Sequence, residues 1–213
     1  MKGILFSQME PPSDLEEAFH EWYNKEHIPL RLALPGIDKA RRFEAPSGKP
    51  RFLAVYEVSD LGVFDTEQFH SLKNNPSERT RLMLENATGF TRYLCEQISD
   101  SGPSADGDYL SVNAFQVPDA DIGLFDDWYE NEHIPRLMQA PDWLRVRRYR
   151  VYDGDGPTWT HLALHDLVST EVMDSPERRF ARTGPKRDIL VNKPWFIDSG
   201  RWLYRVIFDT EGP

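Results

Sequence analysis

The string Glu21-Trp22-Tyr23-Asn24-Lys25-Glu26-His27-Ile28-Pro29 returns as Asp127-Trp128-Tyr129-Glu130-Asn131-Glu132-His133-Ile134-Pro135, and this repetition constrains the fold more than any other feature. The offset of 106 residues holds through Pro35/Pro141, Arg41-Arg42/Arg147-Arg148 and Phe43/Tyr149. With small gaps it continues through Phe52–Tyr56 against His161–His165, and through Arg92-Tyr93-Leu94 against Arg201-Trp202-Leu203. So unusual a string does not recur by accident. The chain is an internal duplication.

Both copies have the same order of elements. In the first, residues 2–9 are an apolar strand stopped by Pro11-Pro12, and Ser13 or Asp14 opens a helix that Pro35-Gly36 ends. Strands over 39–44 and 52–58 follow, then helical stretches at 65–73 and 76–85 and a closing strand at 91–98. The second copy repeats this with strands at 109–117, 144–152, 159–167 and 201–208, a long helix over 123–139 and helices within 170–189. Asp153–Pro157 is expected to be a hairpin turn. The predicted class is α+β: two ferredoxin-like βαββαβ repeats, 1–98 and 109–213, joined by a polar linker at 99–108. One such sheet carries helices on a single face, so the repeats are expected to pack sheet-to-sheet as a pseudo-dimeric α/β barrel. The expected species is a monomer with that internal pseudo-dimer, or a homodimer of it.

Composition narrows the function. Thirty-five acidic against twenty-five basic residues give a net charge of -10, which repels phosphate backbones and argues against nucleic acid. Arg41-Arg42 and Arg147-Arg148 stand out as the local basic pairs. One cysteine, Cys95, allows neither an intramolecular disulfide nor a CxxC pair. The amino terminus has too short an apolar run for a signal peptide and no stretch reaches membrane-span length, so a cytoplasmic protein without membrane contact is expected.

The chemistry concentrates in the repeated helix. Tyr23 and His27 are four residues apart and share a face with His20, and Trp22 and Glu26 form the adjacent stripe. Pro29 removes a backbone hydrogen bond, so a kink or break is expected directly after His27, aiming the imidazole at a pocket. Tyr129, His133, Trp128, Glu132 and Pro135 repeat the arrangement. Histidine can both take and give a proton near neutrality. The second copy adds His161 and His165 on one face of a strand, and Tyr149 where the first has Phe43. Structural roles compete with functional ones. Trp22 and Trp128 suit the core or an interface. Glu26 and Glu132 would orient the helix by pairing with Arg42 and Arg148. No phosphate loop, nucleophile elbow or metalloprotease motif is present, and a metal site from His161 and His165 has only spacing behind it, so no metal or cofactor is expected.

The helix motif with the following Pro35-Gly36…Ala40-Arg41-Arg42-Phe43 resembles the dimeric α/β-barrel superfamily, in particular EthD-like proteins and methylmuconolactone isomerases. That resemblance implies a small cyclic or aromatic compound bound between sheet and helices. It also implies a helix histidine acting as acid and base with a tyrosine or second histidine. Carried onto this chain, the catalytic set is His133, His27, Tyr149 and His165. His161, Tyr129, Tyr23, Trp128 and Trp22 would border the substrate, and Glu132, Glu26, Arg148 and Arg42 would orient the helix and its histidine. The expected activity is cofactor-independent isomerase, lyase, cyclase or decarboxylase chemistry on a small carbonyl compound. The alternatives are a non-catalytic small-molecule binding protein, or a cofactor-free or haem-dependent oxygenase.

Overall fold

The computed structural model describes residues 1–212. In the first repeat β1 (Gly3–Glu10) leads into α1 (Glu16–Trp22), a π-helical turn over Tyr23–His27, and α2 (Ile28–Leu32). Then come β2 (Ile37–Glu44), β3 (Phe52–Val58), α3 (Glu67–Asn74), α4 (Glu78–Asn86) and β4 (Thr88–Ser101). The second repeat runs β5 (Tyr109–Phe115), α5 (Ile122–Trp128), a π turn over Tyr129–His133, α6 (Ile134–Leu137), β6 (Trp143–Asp155) and β7 (His161–Leu167). Helices α7 (Pro176–Ala181), α8 (Pro185–Leu190) and α9 (Pro194–Ile197) precede β8 (Gly200–Glu211). The class is α+β. The strands hydrogen-bond in the closed antiparallel order β1-β3-β2-β8-β5-β7-β6-β4.

Two compact units follow the duplication. The first contains residues 1–97 with 152–157 and 206–212, and the second contains 98–151 with 158–205. Within the first unit β1 lies between β3 and β4, pairing Leu5 with Tyr56 and with Leu94. Its helix-bearing face packs Phe19, Trp22, Tyr23 and Ile28 of the first helix on Met9, Ala54 and Tyr56. In the second unit β5 lies between β7 and β8, pairing Ser111 with His165 and with Leu203. There Phe125, Trp128, Tyr129 and Ile134 pack on Phe115, Ala163 and Leu167.

Two local expectations change. First, the helix does not break at Pro29 or Pro135. The Ile28 amide donates to the Tyr23 carbonyl and that of Ile134 to Tyr129, an i to i−5 bond in each case. One wide turn absorbs the proline's missing N–H, and the helix continues with αR dihedrals on both sides. Second, β4, β6 and β8 extend to 14, 13 and 12 residues, beyond their predicted ends. Gly154 lies inside β6 rather than in a turn. A Cβ there would come within 2.3 Å of the Arg92 carbonyl oxygen, so glycine permits the close strand approach. In the second unit Arg145 grips the Asp100 carboxylate with Nε and Nη2, both at 2.7 Å, and residues 99–101, expected to begin the linker, are strand. These extensions come from cross-strand pairing, which local residue preferences do not encode.

No helix among the described residues is long and apolar enough to cross a membrane.

Candidate functional site

Each repeat encloses a pocket between its first helix and the helix-bearing face of its sheet, and the π turn shapes one wall. A five-residue turn brings residues five apart onto one side, so the rings of Trp22 and His27 meet at 4.3 Å between centroids, tilted by 47°, and those of Trp128 and His133 stack at 4.5 Å. The intervening tyrosines meet the same imidazoles edge-on at 5.0 and 5.2 Å. Beneath them sits a guanidinium, Arg42 at 4.3 Å from the Tyr23 ring and Arg148 at 4.6 Å from Tyr129.

The second-repeat pocket, about 530 Å³ of open space, is lined by His133, His165, Trp128, Tyr129, Trp143, Ser111 and Asn113. Hydrogen-bond partners fix both imidazole tautomers. His133 Nδ1 lies 2.8 Å from the Ala181 carbonyl oxygen, which only accepts, so Nδ1 carries the proton and Nε2 presents a lone pair. The indole Nε1–H of Trp143, which only donates, lies 3.2 Å from His165 Nδ1, so the His165 proton is on Nε2. That Nε2–H is buried and has no protein partner, and neither does the Nε1–H of Trp128. The two rings stand 6.5 Å apart, centroid to centroid, and nearly perpendicular. Both are neutral near pH 7. Burial pulls His133 down to about 4, with the Ala181 bond opposing and Arg187, Arg178 and Arg182 adding to the depression. Burial, then His133 and Arg178, holds His165 well below its ordinary value.

The first-repeat pocket is larger, about 890 Å³, and more apolar, with Leu5, Met9, Leu30, Phe69, Leu72 and Leu84 among its walls. His27 also lines it, but Arg31 Nη1 donates to His27 Nδ1 at 3.0 Å. This imidazole therefore carries its proton on Nε2 and is a donor. The place of His165 is taken by Tyr56, whose buried hydroxyl has no partner and whose pKa burial raises. On the neighbouring strand, Ser7 pairs with Arg92 as Asn113 pairs with Arg201.

Other predicted residues fall elsewhere. His161 does not line the pocket. It is buried beside Phe125, with Nδ1 2.9 Å from Thr160 Oγ1, and burial pulls it down to about 4. Tyr149 is buried but does not line the pocket either; it alternates along β6 with Arg148, whose side chain reaches the helix. The expected pairs Glu26–Arg42 and Glu132–Arg148 do not form. Arg148 instead bonds Asp126 and, at 2.6 Å, Glu130. Arg42 bonds Asn24 at 2.8 Å and His20 Nδ1 at 3.0 Å. Asp126 thus stands where the first repeat has His20, each under the same arginine.

The motif glutamates instead fasten the π turn to the later helices. Glu26 accepts from Ser77 and Thr80 at the start of α4, and Trp22 Nε1 donates to Thr80 at 2.9 Å. Glu132 is 3.6 Å from Arg136 and accepts from the Arg187 amide at 3.4 Å. Gly184 (φ +109°) forms this corner, where a Cβ would come within 2.4 Å of the Glu132 carboxylate. Among the pocket residues that sequence reasoning missed are four arginines, Arg178, Arg182, Arg187 and Arg201. Two signals pointed to them: the basic run from Arg178 to Arg187 in an acidic chain, and the Arg92/Arg201 match. Among the described residues, no group of three or more His, Cys, Asp or Glu is placed to hold a metal ion.

No protein-family model matches the chain, and no curated protein matches it in sequence. Solved structures do match. An anthrone oxidase-like protein superposes with a TM-score of 0.70 at 12% identity, over 99% of this chain and 93% of its own. A protein of Lactobacillus acidophilus described as a candidate monooxygenase gives 0.65 at 10%, over 99% and 96%. A protein described as a candidate chlorite dismutase gives 0.57 at 11%, over 97% and 95%. None of these three carries the EthD-like or isomerase name that the sequence pattern suggested. At such identities the likeness is one of fold, and this chain shares, along nearly its whole length, the α+β barrel fold of proteins named for oxidase, monooxygenase and dismutase activities.

Proposed function

We propose that the second repeat carries an enzyme site that forms an enolate from a small ring-containing carbonyl compound. The observation behind this reading is the opposed tautomers of His133 and His165 across one pocket. His133 Nε2 takes the proton from the carbon next to the carbonyl. The C–H electron pair passes into the ring, and negative charge develops on the carbonyl oxygen. The Nε2–H of His165 and the Nε1–H of Trp128 supply the buried donors that such an oxygen requires, each donor of this kind being typically worth about 10²–10³ in rate. The imidazolium that forms on His133 is held by its Nδ1–H bond to the Ala181 carbonyl. Returning the proton to a different atom gives isomerisation, and expelling a leaving group gives lyase or decarboxylase chemistry. Passing the enolate's electrons to O2 gives oxygenation. The names of the fold relatives favour the oxygen-using sequel, which begins with the same proton transfer.

The test follows carbon-bound protons by NMR in D2O, using enolisable ring ketones such as 1-tetralone and 2-tetralone, with an oxygen electrode in parallel. The wild-type protein is expected to exchange the acidic protons above the buffer rate, and His133→Ala to lose about 10²-fold or more. Exchange at the buffer rate across the panel, or equal exchange by His133→Ala, contradicts the proposal. Oxygen uptake matched to ketone loss selects the oxygenase sequel.

A further inference from the structure

The polar lining of the second-repeat pocket consists mostly of donors. Arg178, Arg182, Arg187 and Arg201 converge there, and no carboxylate is among the lining residues. These arginines are only partly engaged. Arg178 Nη1 donates to the Met173 carbonyl, and Arg201 Nε donates to Ser199 at 3.0 Å. Arg187 lies over the Phe196 ring. Each guanidinium carries five N–H donors, so most of the donor capacity remains for a ligand. Asp174 and Asp188 partly offset Arg178 and Arg187, but the charges of Arg182 and Arg201 act against both. Deeper in, the unpartnered N–H groups of His165 and Trp128, residues 1% and 2% exposed, need an acceptor that the protein does not provide. This cluster sits in a chain of net charge -10. The first-repeat pocket has no such arginine cluster: beside Lys73, its Arg92 is paired with Asp155 at 3.2 Å and its Arg31 donates to His27.

We infer that the second-repeat pocket selects ring compounds carrying a carboxylate, which the arginine cluster holds while the carbonyl end reaches the two imidazoles. The carboxylate assignment rests on the arginines alone, and only the orientation of the carbonyl end rests on the proposed enolate chemistry. The second role of the bound anion is electrostatic. By cancelling the guanidinium charges that disfavour imidazolium at His133, it strengthens the base when a substrate is present.

Binding is measured by quenching of tryptophan fluorescence, since Trp128 and Trp143 line the pocket. The probes are 1-hydroxy-2-naphthoate and its uncharged amide. The carboxylate should bind about tenfold or more tightly than the amide at 0.05 M NaCl, and added salt should erode that advantage. Arg178→Gln and Arg187→Gln should each weaken carboxylate binding about tenfold while leaving the amide unchanged. The wild-type comparison needs no variant to fold. Equal affinities, salt-insensitive binding, or no saturable binding of either probe overturns the inference. Carboxylate binding without proton exchange of any bound ketone would sink the enolate reading and leave this one standing. Exchange that is as fast for neutral ketones as for their carboxylated counterparts would do the reverse.

Discussion

The two pockets are built on the same motif and differ in what the motif histidine can do. In the second repeat the His133 ring gives its proton to a backbone carbonyl and keeps a lone pair at Nε2. In the first, Arg31 occupies Nδ1 of His27, and the remaining nitrogen can only donate. The strand partner changes in parallel, from the imidazole of His165 to the phenol of Tyr56. One pocket thus pairs a proton acceptor with a donor among guanidinium groups, and in the other the motif imidazole is a donor among mostly apolar walls. Duplication leaves the frame in both halves: the π turn, the Trp–His ring contact and the arginine under the tyrosine. A carbonyl or an arginine at one ring nitrogen then decides whether the frame holds a base. On the proposed enolate chemistry, the first-repeat pocket would hold a carbonyl compound rather than deprotonate one.

The sharpest way to break this contrast is to remove each imidazole in turn. His133→Ala should lower proton-exchange rates by about 10²-fold or more, while His27→Ala should change them by less than about twofold, measured in the same NMR assay. Equal losses would make the pockets equivalent. Acid should produce the next largest effect. His133 and His161 are both held at about 4 in the folded protein against an ordinary 6.5. The unfolded chain therefore binds more protons between those values, and stability is full above about pH 6.5 and falls as the pH drops toward 4. By pH 4 each such histidine removes about 3 kcal/mol. Urea denaturation from pH 7 to 4 checks this, and His161→Phe should flatten the curve. Because the base acts unprotonated, exchange by the free enzyme should be level across neutral pH and fall only toward pH 4.

The smallest effect separates the two tryptophans. Trp22→Phe removes the bond to Thr80 and should cost about 1 kcal/mol of stability in thermal unfolding. Trp128→Phe leaves no acceptor unpaired, so it should lose less stability than Trp22→Phe while exchange falls about tenfold or more. Identical behaviour of the two variants would erase the difference between the pockets at that position.

The fold was largely legible in the sequence because duplication states its own boundaries: a match that runs, with small gaps, from Trp22 to Leu94 has to be a structural unit. The motif histidines were legible as pocket residues for the same reason. Their roles were not. A one-residue redistribution of helical hydrogen bonds makes the π turn, and the proline that causes it reads in sequence as a stop. The partners of Arg42 and Arg148 were misassigned because the arginines reach Asn24 and Glu130, one residue past the tyrosine, rather than Glu26 and Glu132. Tyr149 drew attention by standing where the first repeat has phenylalanine, but strand alternation takes it out of the pocket that His133 lines. The pocket arginines lie far from the motif in the chain; the folded corner at Gly184, seated on Glu132, lies between Arg182 and Arg187, and the pairing of β8 with β5 places Arg201.

The central claim is that the pocket holds two neutral imidazoles protonated on opposite nitrogens. Long-range 15N–1H correlation of the histidine rings at pH 7, assigned with single-histidine variants, reads this directly. The account predicts His133 protonated at Nδ1 alone, with His165 and His27 protonated at Nε2 alone. A charged His133, or the same Nε2–H tautomer at His133 and His165, would contradict it.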